Sequence, residues 1–174
     1  MYPESTKQES QTQIAQGEFL HNSFGLRLTV PEVVAEITGF MKAEPGMHYK
    51  VTIGTDSELQ HGNIADFVTA IVVHRVGNGG RYFWRRLDAL KMHTLRERIV
   101  KEVLISLDIA KDTLAELQKF PLPHFDFEIH IDVGENGPTK AMIQEVVGMV
   151  RAHNFEAKTK PESYAASNIA DRHV

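Results

Sequence analysis

The chain has 174 residues, which suits one domain with a substantial core, and 42% of them are hydrophobic and 24% charged, as in ordinary globular proteins. The absence of cysteine excludes disulfides, thiolate metal sites and a cysteine nucleophile, and together with an N-terminus that lacks a secretory pattern it predicts a cytoplasmic protein. The formal net charge of −4 leaves no global basic footprint of the kind that nucleic-acid-binding domains carry, and no uncharged apolar stretch approaches the roughly 20 residues of a membrane span.

The N-terminal end of the chain is polar and gives way to apolar patterning. Residues 1–20 lack apolar periodicity, so they are predicted to form a flexible arm, and residues 21–174 are predicted to form one domain. A capping-box pattern at Thr29, with a proline in the first turn, precedes apolar residues at helical spacing. This pattern predicts a first helix over residues 31–41.

The middle of the chain is typical of strands followed by a long helix. Residues 49–56, 67–75 and 81–87 are strand-like runs joined by short turns, so they are predicted to be antiparallel neighbours. Aliphatic residues at i+3 and i+4 spacing predict a long helix over residues 94–119. Alternating apolar and polar residues predict a fourth strand over residues 125–133.

The C-terminal third alternates between helix and strand. Helical periodicity predicts a second long helix over residues 140–155, followed by a short fifth strand over residues 157–160 and a closing helix over residues 163–173. Right-handed crossover connections make the fourth strand parallel to the first. The element order therefore predicts an α/β fold in which helices pack on a mixed sheet.

Acids from four separate elements are predicted to meet at one edge of this sheet. Asp56 and Asp132 end parallel strands, and Asp171 lies in a helix that starts from the same edge. Glu97 lies in the first turns of the long helix. Two carboxylates about 4 Å apart repel by roughly 4 kcal/mol at an effective dielectric constant near 20, so such a cluster requires protonation or cations. Oxygen ligands favour hard ions, which predicts two Mg²⁺ or Mn²⁺ ions.

The acid on the long helix has two candidates. Glu97 and Glu102 both flank the apolar stripe, and Glu97 is preferred on reach because Glu102 lies about 7.5 Å further along the axis. Arg96 projects near the middle of the stripe and either contacts substrate phosphate or is a capped, snorkelling arginine. His130 shares the Asp132 face of the fourth strand and is interpreted as a packed or hydrogen-bonded residue.

One stretch of the chain is strongly basic despite the negative net charge. Residues 81–101 carry seven basic and two acidic side chains. A charge run alone is typical of a solvated face. Beside an acidic site, however, it would hold the backbone phosphates of a nucleic acid.

Three motifs resemble a known family. They are Ile53-Gly-Thr-Asp-Ser57, the segment His130-Ile-Asp-Val-Gly-Glu-Asn-Gly-Pro-Thr-Lys140 and the segment Lys160-Pro-Glu-Ser-Tyr-Ala-Ala-Ser-Asn-Ile-Ala-Asp-Arg172. In their order and spacing they resemble the ribonuclease H-like superfamily, and within it the bacterial YkuK-type group of predicted ribonuclease H-related nucleases.

This resemblance implies a fold, a chemistry and a set of residues. The implied fold is a five-stranded mixed sheet in the order 3-2-1-4-5, flanked by helices, and the implied chemistry is phosphodiester hydrolysis with two divalent cations, Mg²⁺ or Mn²⁺. The implied catalytic and metal-binding residues are Asp56, Glu97, Asp132 and Asp171. The predicted substrate-binding residues are Ser57, Arg96 and Lys140.

Three functions are compatible with these features. The leading hypothesis is a two-metal nuclease that acts on RNA, an RNA–DNA hybrid or structured DNA. A second is a catalytically silent module on the same fold that binds nucleic acid or protein, which the negative net charge favours. A third, an ATP-handling enzyme suggested by Asp132-Val-Gly-Glu-Asn-Gly137, needs two similar domains, for which 174 residues are too few. No membrane partner is expected, and the oligomeric state stays open, with a homodimer as one option.

Overall fold

The computed structural model describes residues 19–164 and Asn168. The strands within this part of the chain are β1 (Leu20–Asn22), β2 (Arg27–Leu28), β3 (Tyr49–Gln60), β4 (Ile64–Arg75), β5 (Gly80–Lys91), β6 (Phe125–His130) and β7 (Glu156–Lys158). The α-helices of the same part are α1 (Val30–Ala43), α2 (Leu95–Leu117) and α3 (Ile143–Ala152), the last of which follows a 3-10 turn at Lys140–Met142. Asp171 and most of the predicted closing helix lie outside the described residues, as do residues 1–18 of the predicted arm.

All seven described strands belong to one sheet. Their order is β2-β1-β5-β4-β3-β6-β7, in which β3 pairs with β6 and β6 with β7 in parallel, while the other neighbours are antiparallel. The predicted α/β class with a mixed sheet is therefore confirmed. The predicted number of five strands is wrong, because β1 and β2 extend the sheet beyond β5. These two strands have three and two residues, too few for an alternating pattern to be read from the sequence.

The predicted antiparallel strands are longer than their hydrophobic patterns indicated. Strand β3 continues to Gln60, four residues past the predicted end at Asp56, and β4 begins at Ile64. The two strands stay paired to the tip of the hairpin, where Gln60 lies opposite Ile64. Beyond Ser57 the side chains of β3 are exposed, so the hydrophobic signal ends while the hydrogen-bonded ladder continues.

Two of the described helices begin after a threonine cap, of which the one at Thr29 was predicted. Thr29 caps α1 through a complete capping box with Glu32, and Thr94 caps α2 by accepting a hydrogen bond from the backbone N–H of Glu97. Apolar residues of α1, α2 and α3 share one core with alternate residues of the sheet, such as Val51 and Ile53 of β3. The described helices include none that is long and apolar enough to cross a membrane.

Candidate active site

The register of the two central parallel strands brings two aspartates to the same level. Gly54 of β3 pairs with His130 of β6 in a parallel ladder, and β6 ends there. Asp56 and Asp132 each lie two residues further along, so the same register carries them to adjacent positions beyond the end of β6. Ile131 then donates its backbone N–H to the Lys158 carbonyl of β7 at 2.9 Å, which keeps this segment at the sheet edge.

A buried glutamate on α2 is the third acid of this region. Glu102 is only 3% exposed, and its Oε1 accepts a hydrogen bond from the Ser57 hydroxyl at 2.5 Å. Burial raises the pKa of Glu102 to about 8, and the nearby charges of Asp56 and Asp132 act in the same direction, while the Ser57 hydrogen bond and Arg98 oppose the shift. Burial and the two neighbouring aspartates therefore favour the protonated form of this carboxyl group.

The packing of α2 against β3 explains why Glu102 occupies this position. Ser106 donates a hydrogen bond to Thr55 at 2.8 Å, and one helical turn earlier Glu102 meets Ser57, two residues further along the strand. Four helical residues rise about 6 Å and two strand residues about 6.6 Å. Because α2 runs antiparallel to β3, the two contacts therefore have nearly the same spacing on both elements.

The structure gives Glu97 a different environment from the one predicted. Its side chain is exposed, and its Oε2 accepts a hydrogen bond from the backbone N–H of His93 at 2.8 Å. Glu97 therefore contributes to the capped first turn of α2, where its negative charge also interacts favourably with the helix dipole. The glutamate beside Asp56 and Asp132 is Glu102, the alternative that periodicity could not distinguish.

Asp132 is paired with a lysine that the sequence analysis did not assign to the site. Lys160 Nζ lies 2.9 Å from Asp132 Oδ1, and the backbone N–H of Lys160 donates to the Val133 carbonyl at 2.8 Å. A Cβ atom added to Gly134 would lie 3.0 Å from Lys160 Cβ, so the missing side chain at Gly134 lets the two segments approach. Lys160 opens the third of the family-like motifs, but a lone lysine carries no signal of its own.

The predicted substrate-binding residues have partners within the chain. Arg96 forms two contacts with the carboxylate of Glu145 in α3, one of them at 3.2 Å, and Lys140 Nζ lies 3.5 Å from Glu135 Oε2. The Ser57 hydroxyl donates a hydrogen bond to Glu102 Oε1, and the Ser57 backbone N–H donates one to Asp56 Oδ1 at 2.8 Å.

Other basic residues of the stretch over residues 81–101 also lie near acids. Arg86 pairs with Asp66 of β4. Arg85 is half-buried, and burial lowers its pKa, while Asp112 and Asp108 of α2 oppose that shift. Part of the positive charge of the stretch is therefore offset by acids of neighbouring elements.

A buried polar cluster lies on β6 just before Asp132. His130 Nε2 lies 3.1 Å from Glu128 Oε2, and its Nδ1 accepts a hydrogen bond from the backbone N–H of Tyr164 at 3.1 Å. The neutral ring therefore carries its hydrogen on Nε2, and burial lowers the pKa of His130. Lys50 Nζ completes the cluster 3.3 Å from Glu128 Oε1. The interpretation of His130 as a hydrogen-bonded residue is confirmed.

The arrangement of these residues agrees with the comparison against known families. A family model described as ribonuclease H-like matches residues 32–174. The chain belongs to the ribonuclease H-like family. A relative named "Uncharacterized protein YkuK" from Bacillus subtilis (strain 168) is 31% identical, and the match covers 91% of this chain and 98% of the relative. The resemblance to the YkuK-type group is therefore confirmed. No solved structure matches the chain significantly.

Ribonuclease H-like proteins typically use divalent metals, and the donor chemistry of this site fits such ions. Asp56, Glu102 and Asp132 offer only oxygen ligands, which hard cations prefer. Glu102 Oε2 is buried and has no hydrogen-bond partner among the described residues, which is a costly state that a cation would relieve. Within residues 19–164, however, no group of three or more acidic, histidine or cysteine side chains is already arranged to hold a metal.

Proposed function

We propose that the protein is a divalent-cation-dependent nuclease that hydrolyses phosphodiester bonds in RNA, an RNA–DNA hybrid or structured DNA. The observation that carries this proposal is the buried carboxyl group of Glu102, whose pKa is raised to about 8 by burial and by Asp56 and Asp132. Strongly perturbed carboxyl groups next to other acids are typical of catalytic sites. Membership of the ribonuclease H-like family supports nuclease chemistry.

Three described acids would hold the cations in this proposal. They are Asp56, Asp132 and Glu102, and Glu102 takes the place of Glu97 because the charges of both aspartates act on Glu102, whereas Glu97 is bonded to the His93 backbone. Asp171, which lies outside the described residues, completes the set on sequence grounds alone. Bound Mg²⁺ or Mn²⁺ ions would activate a water molecule and stabilise the leaving oxygen of the phosphodiester.

Ser57 is better suited to position the acids than to bind substrate. Its hydroxyl donates a hydrogen bond to Glu102 Oε1, and its backbone N–H donates one to Asp56 Oδ1. One residue therefore orients one oxygen of each acid. The second oxygen of Glu102 stays without a partner among the described residues and is available to a cation. We therefore propose Ser57 as a positioning residue for the metal ligands.

Contacts of Arg96 and Lys140 with substrate would require rearrangement. Each is paired with a glutamate, Arg96 with Glu145 and Lys140 with Glu135. Both pairs are exposed, and exposed ion pairs contribute only about 0–1 kcal/mol, so a polyanion can displace them. Phosphate binding by these two residues stays a proposal, as does a cytoplasmic location.

Substitution of Asp132 tests the proposed function. Wild-type protein and Asp132→Asn are incubated with Mg²⁺ or Mn²⁺ and end-labelled RNA, an RNA–DNA hybrid or a DNA junction. Loss of one ligand should lower the cleavage rate by about 10²-fold or more, a magnitude typical for removing one electrostatic stabiliser of a transition state. Equal cleavage by both proteins would contradict the assignment.

A second candidate is a catalytically silent module that binds nucleic acid or protein. The observation that favours it is the ion pair between Lys160 and Asp132, which neutralises one of the acids within the chain itself. Metal-independent nucleic-acid binding by both wild-type protein and Asp132→Asn, without turnover of any substrate, would support this candidate over the nuclease.

A further inference from the structure

We propose that Lys160 is an internal counter-ion that competes with divalent cations for Asp132 and thereby weakens the affinity of the site for metal. This inference rests on the proposed function, because it concerns the same acids. Lys160 opens the third family-like motif but had no predicted role.

The backbone of Lys160 is fixed close to Asp132. Its N–H donates to the Val133 carbonyl at 2.8 Å, and its side-chain stem packs over Gly134, where a Cβ atom would lie 3.0 Å from Lys160 Cβ. These contacts hold the segment of Lys160 against the segment of Asp132. The ammonium group therefore lies 2.9 Å from Asp132 Oδ1.

The charge of Lys160 offsets repulsion at the same place where a cation would act. Asp56, Asp132 and Glu102 lie near enough for both aspartates to raise the pKa of the glutamate. An ammonium group on Asp132 supplies one positive charge, whereas a divalent ion supplies two and is a stronger ligand for carboxylates. The two cations are therefore alternatives at Asp132.

The lysine side chain is free to exchange with a metal. Its side chain is 54% exposed and that of Asp132 is 28% exposed, so the ion pair opens to solvent and is not sealed in the core. Lysine is a strongly hydrated cation on a flexible stem, which makes its displacement cheap. The pair thus tunes metal affinity without abolishing it.

Calorimetric titration of Mg²⁺ and Mn²⁺ into four proteins tests the proposal. Lys160→Met keeps the length of the stem but removes the charge, so it should bind metal about fivefold more tightly than wild type, the range of one exposed ion pair. Lys160→Arg keeps the charge and should stay near wild type. Lys158→Met is the matched control, since Lys158 pairs with Glu156 and Glu162 and carries the same charge two residues away.

Thermal unfolding without metal gives a second measurement that does not depend on activity. In the presence of a chelator, Lys160→Met should unfold at a lower temperature than wild type, because Asp132 then lacks its counter-ion near Asp56. Saturating Mn²⁺ should raise the unfolding temperature of Lys160→Met by more than that of wild type. Lys158→Met should show the wild-type metal response.

The outcomes separate this inference from the proposed function. If Asp132→Asn abolishes metal binding but Lys160→Met binds no more tightly than wild type, the role of Lys160 is overturned and the nuclease proposal stands. If Asp132→Asn binds metal as wild type does, the proposed site and the role of Lys160 both fall. Metal binding that only Lys160→Met acquires, and that Asp132→Asn in the same protein removes, would support the competition directly.

Discussion

At the scale of single residues, the helix glutamate illustrates what a linear pattern leaves undecided. Glu97 and Glu102 flank the same apolar stripe of α2, so periodicity did not distinguish them, and reach along the helix axis favoured Glu97. The structure places Glu97 in the exposed first turn, bonded to the His93 backbone, and buries Glu102 against Ser57. The difference arises from the register of α2 against β3, which only long-range packing sets.

We expect Glu102 and Glu97 to differ sharply in catalysis. Glu102→Gln should reduce metal-dependent cleavage by about 10²-fold, because it removes a proposed ligand and keeps the side-chain volume. Glu97→Gln makes the same chemical change one turn and a half earlier and should retain activity within a few-fold. Comparison of single-turnover cleavage rates decides it. A larger loss for Glu97→Gln would restore that residue to the site.

The raised pKa of Glu102 predicts how stability depends on pH without metal. The native state holds a proton that the unfolded chain releases above a pKa of about 4.5, and native Glu102 releases it near a pKa of about 8. Stability from this group is therefore fully present below pH 4.5 and is lost as the pH rises through 8, by a few kcal/mol at most.

Glu102→Gln should remove this pH dependence, since the amide does not titrate. We expect the free energy of unfolding in a chelator, measured with denaturant at pH 5, 7 and 9, to fall more steeply for wild type than for the variant. Glu97→Gln serves as the control and should follow wild type. Parallel curves for wild type and Glu102→Gln would be inconsistent with a buried, protonated carboxyl group.

At the scale of elements, the site depends on how two short connections meet. Strand β6 ends at His130, after which the segment with Asp132 bends beside the segment with Lys160. Gly134 makes this approach tight. The segment that approaches Gly134 is the chain's own, because an added Cβ would lie 3.0 Å from Lys160 Cβ.

Two glycine substitutions should therefore have opposite effects on stability. Gly134→Ala would place Cβ 3.0 Å from Lys160 Cβ, so we expect a loss of about 1–3 kcal/mol from overpacking. Gly148 lies in α3 with nothing within 4 Å of an added Cβ, so Gly148→Ala should gain about 1 kcal/mol from helix propensity. Denaturant unfolding measures both. A Gly134→Ala protein as stable as wild type would show that the two segments separate easily.

At the scale of the whole molecule, the two faces of the sheet differ in the side chains that they carry. The helices cover the face that carries Val51 and Ile53, while alternate positions on β6 carry Glu128 and His130 in a buried polar cluster. Part of the basic stretch is internally paired, as with Arg86 and Asp66. Together with the net charge of −4, this pairing weakens the long-range attraction of the surface for phosphates.

We expect nucleic-acid binding without divalent cations to be weak and only mildly dependent on salt. Few phosphates should be neutralised, so the slope of log affinity against log salt should be small. It should be well below the slope of strongly basic binding proteins, which make about 6–10 phosphate contacts. Fluorescence anisotropy with a labelled RNA or hybrid between 50 and 200 mM salt measures the slope. A steep slope would instead favour the electrostatic, catalytically silent module.

The sequence by itself determined the elements with strong local signals. The capping box at Thr29, the periodicity of α2 and the alternation of β6 each report a local preference of the chain, and the family motifs added Asp56 and Asp132. These signals suffice because hydrogen bonding and side-chain spacing within an element need no distant partner.

Only the tertiary structure decided which side chains lie beside Asp56 and Asp132. The two short edge strands, the choice of Glu102 and the pairing of Lys160 with Asp132 all depend on contacts between segments far apart in the chain. Such contacts are set by the register of whole elements against one another, and a shift of about one and a half turns in α2 would exchange Glu102 for Glu97 without changing any local pattern. That is the physical reason why the sequence predicted acids at this edge of the sheet but not which glutamate lies beside them.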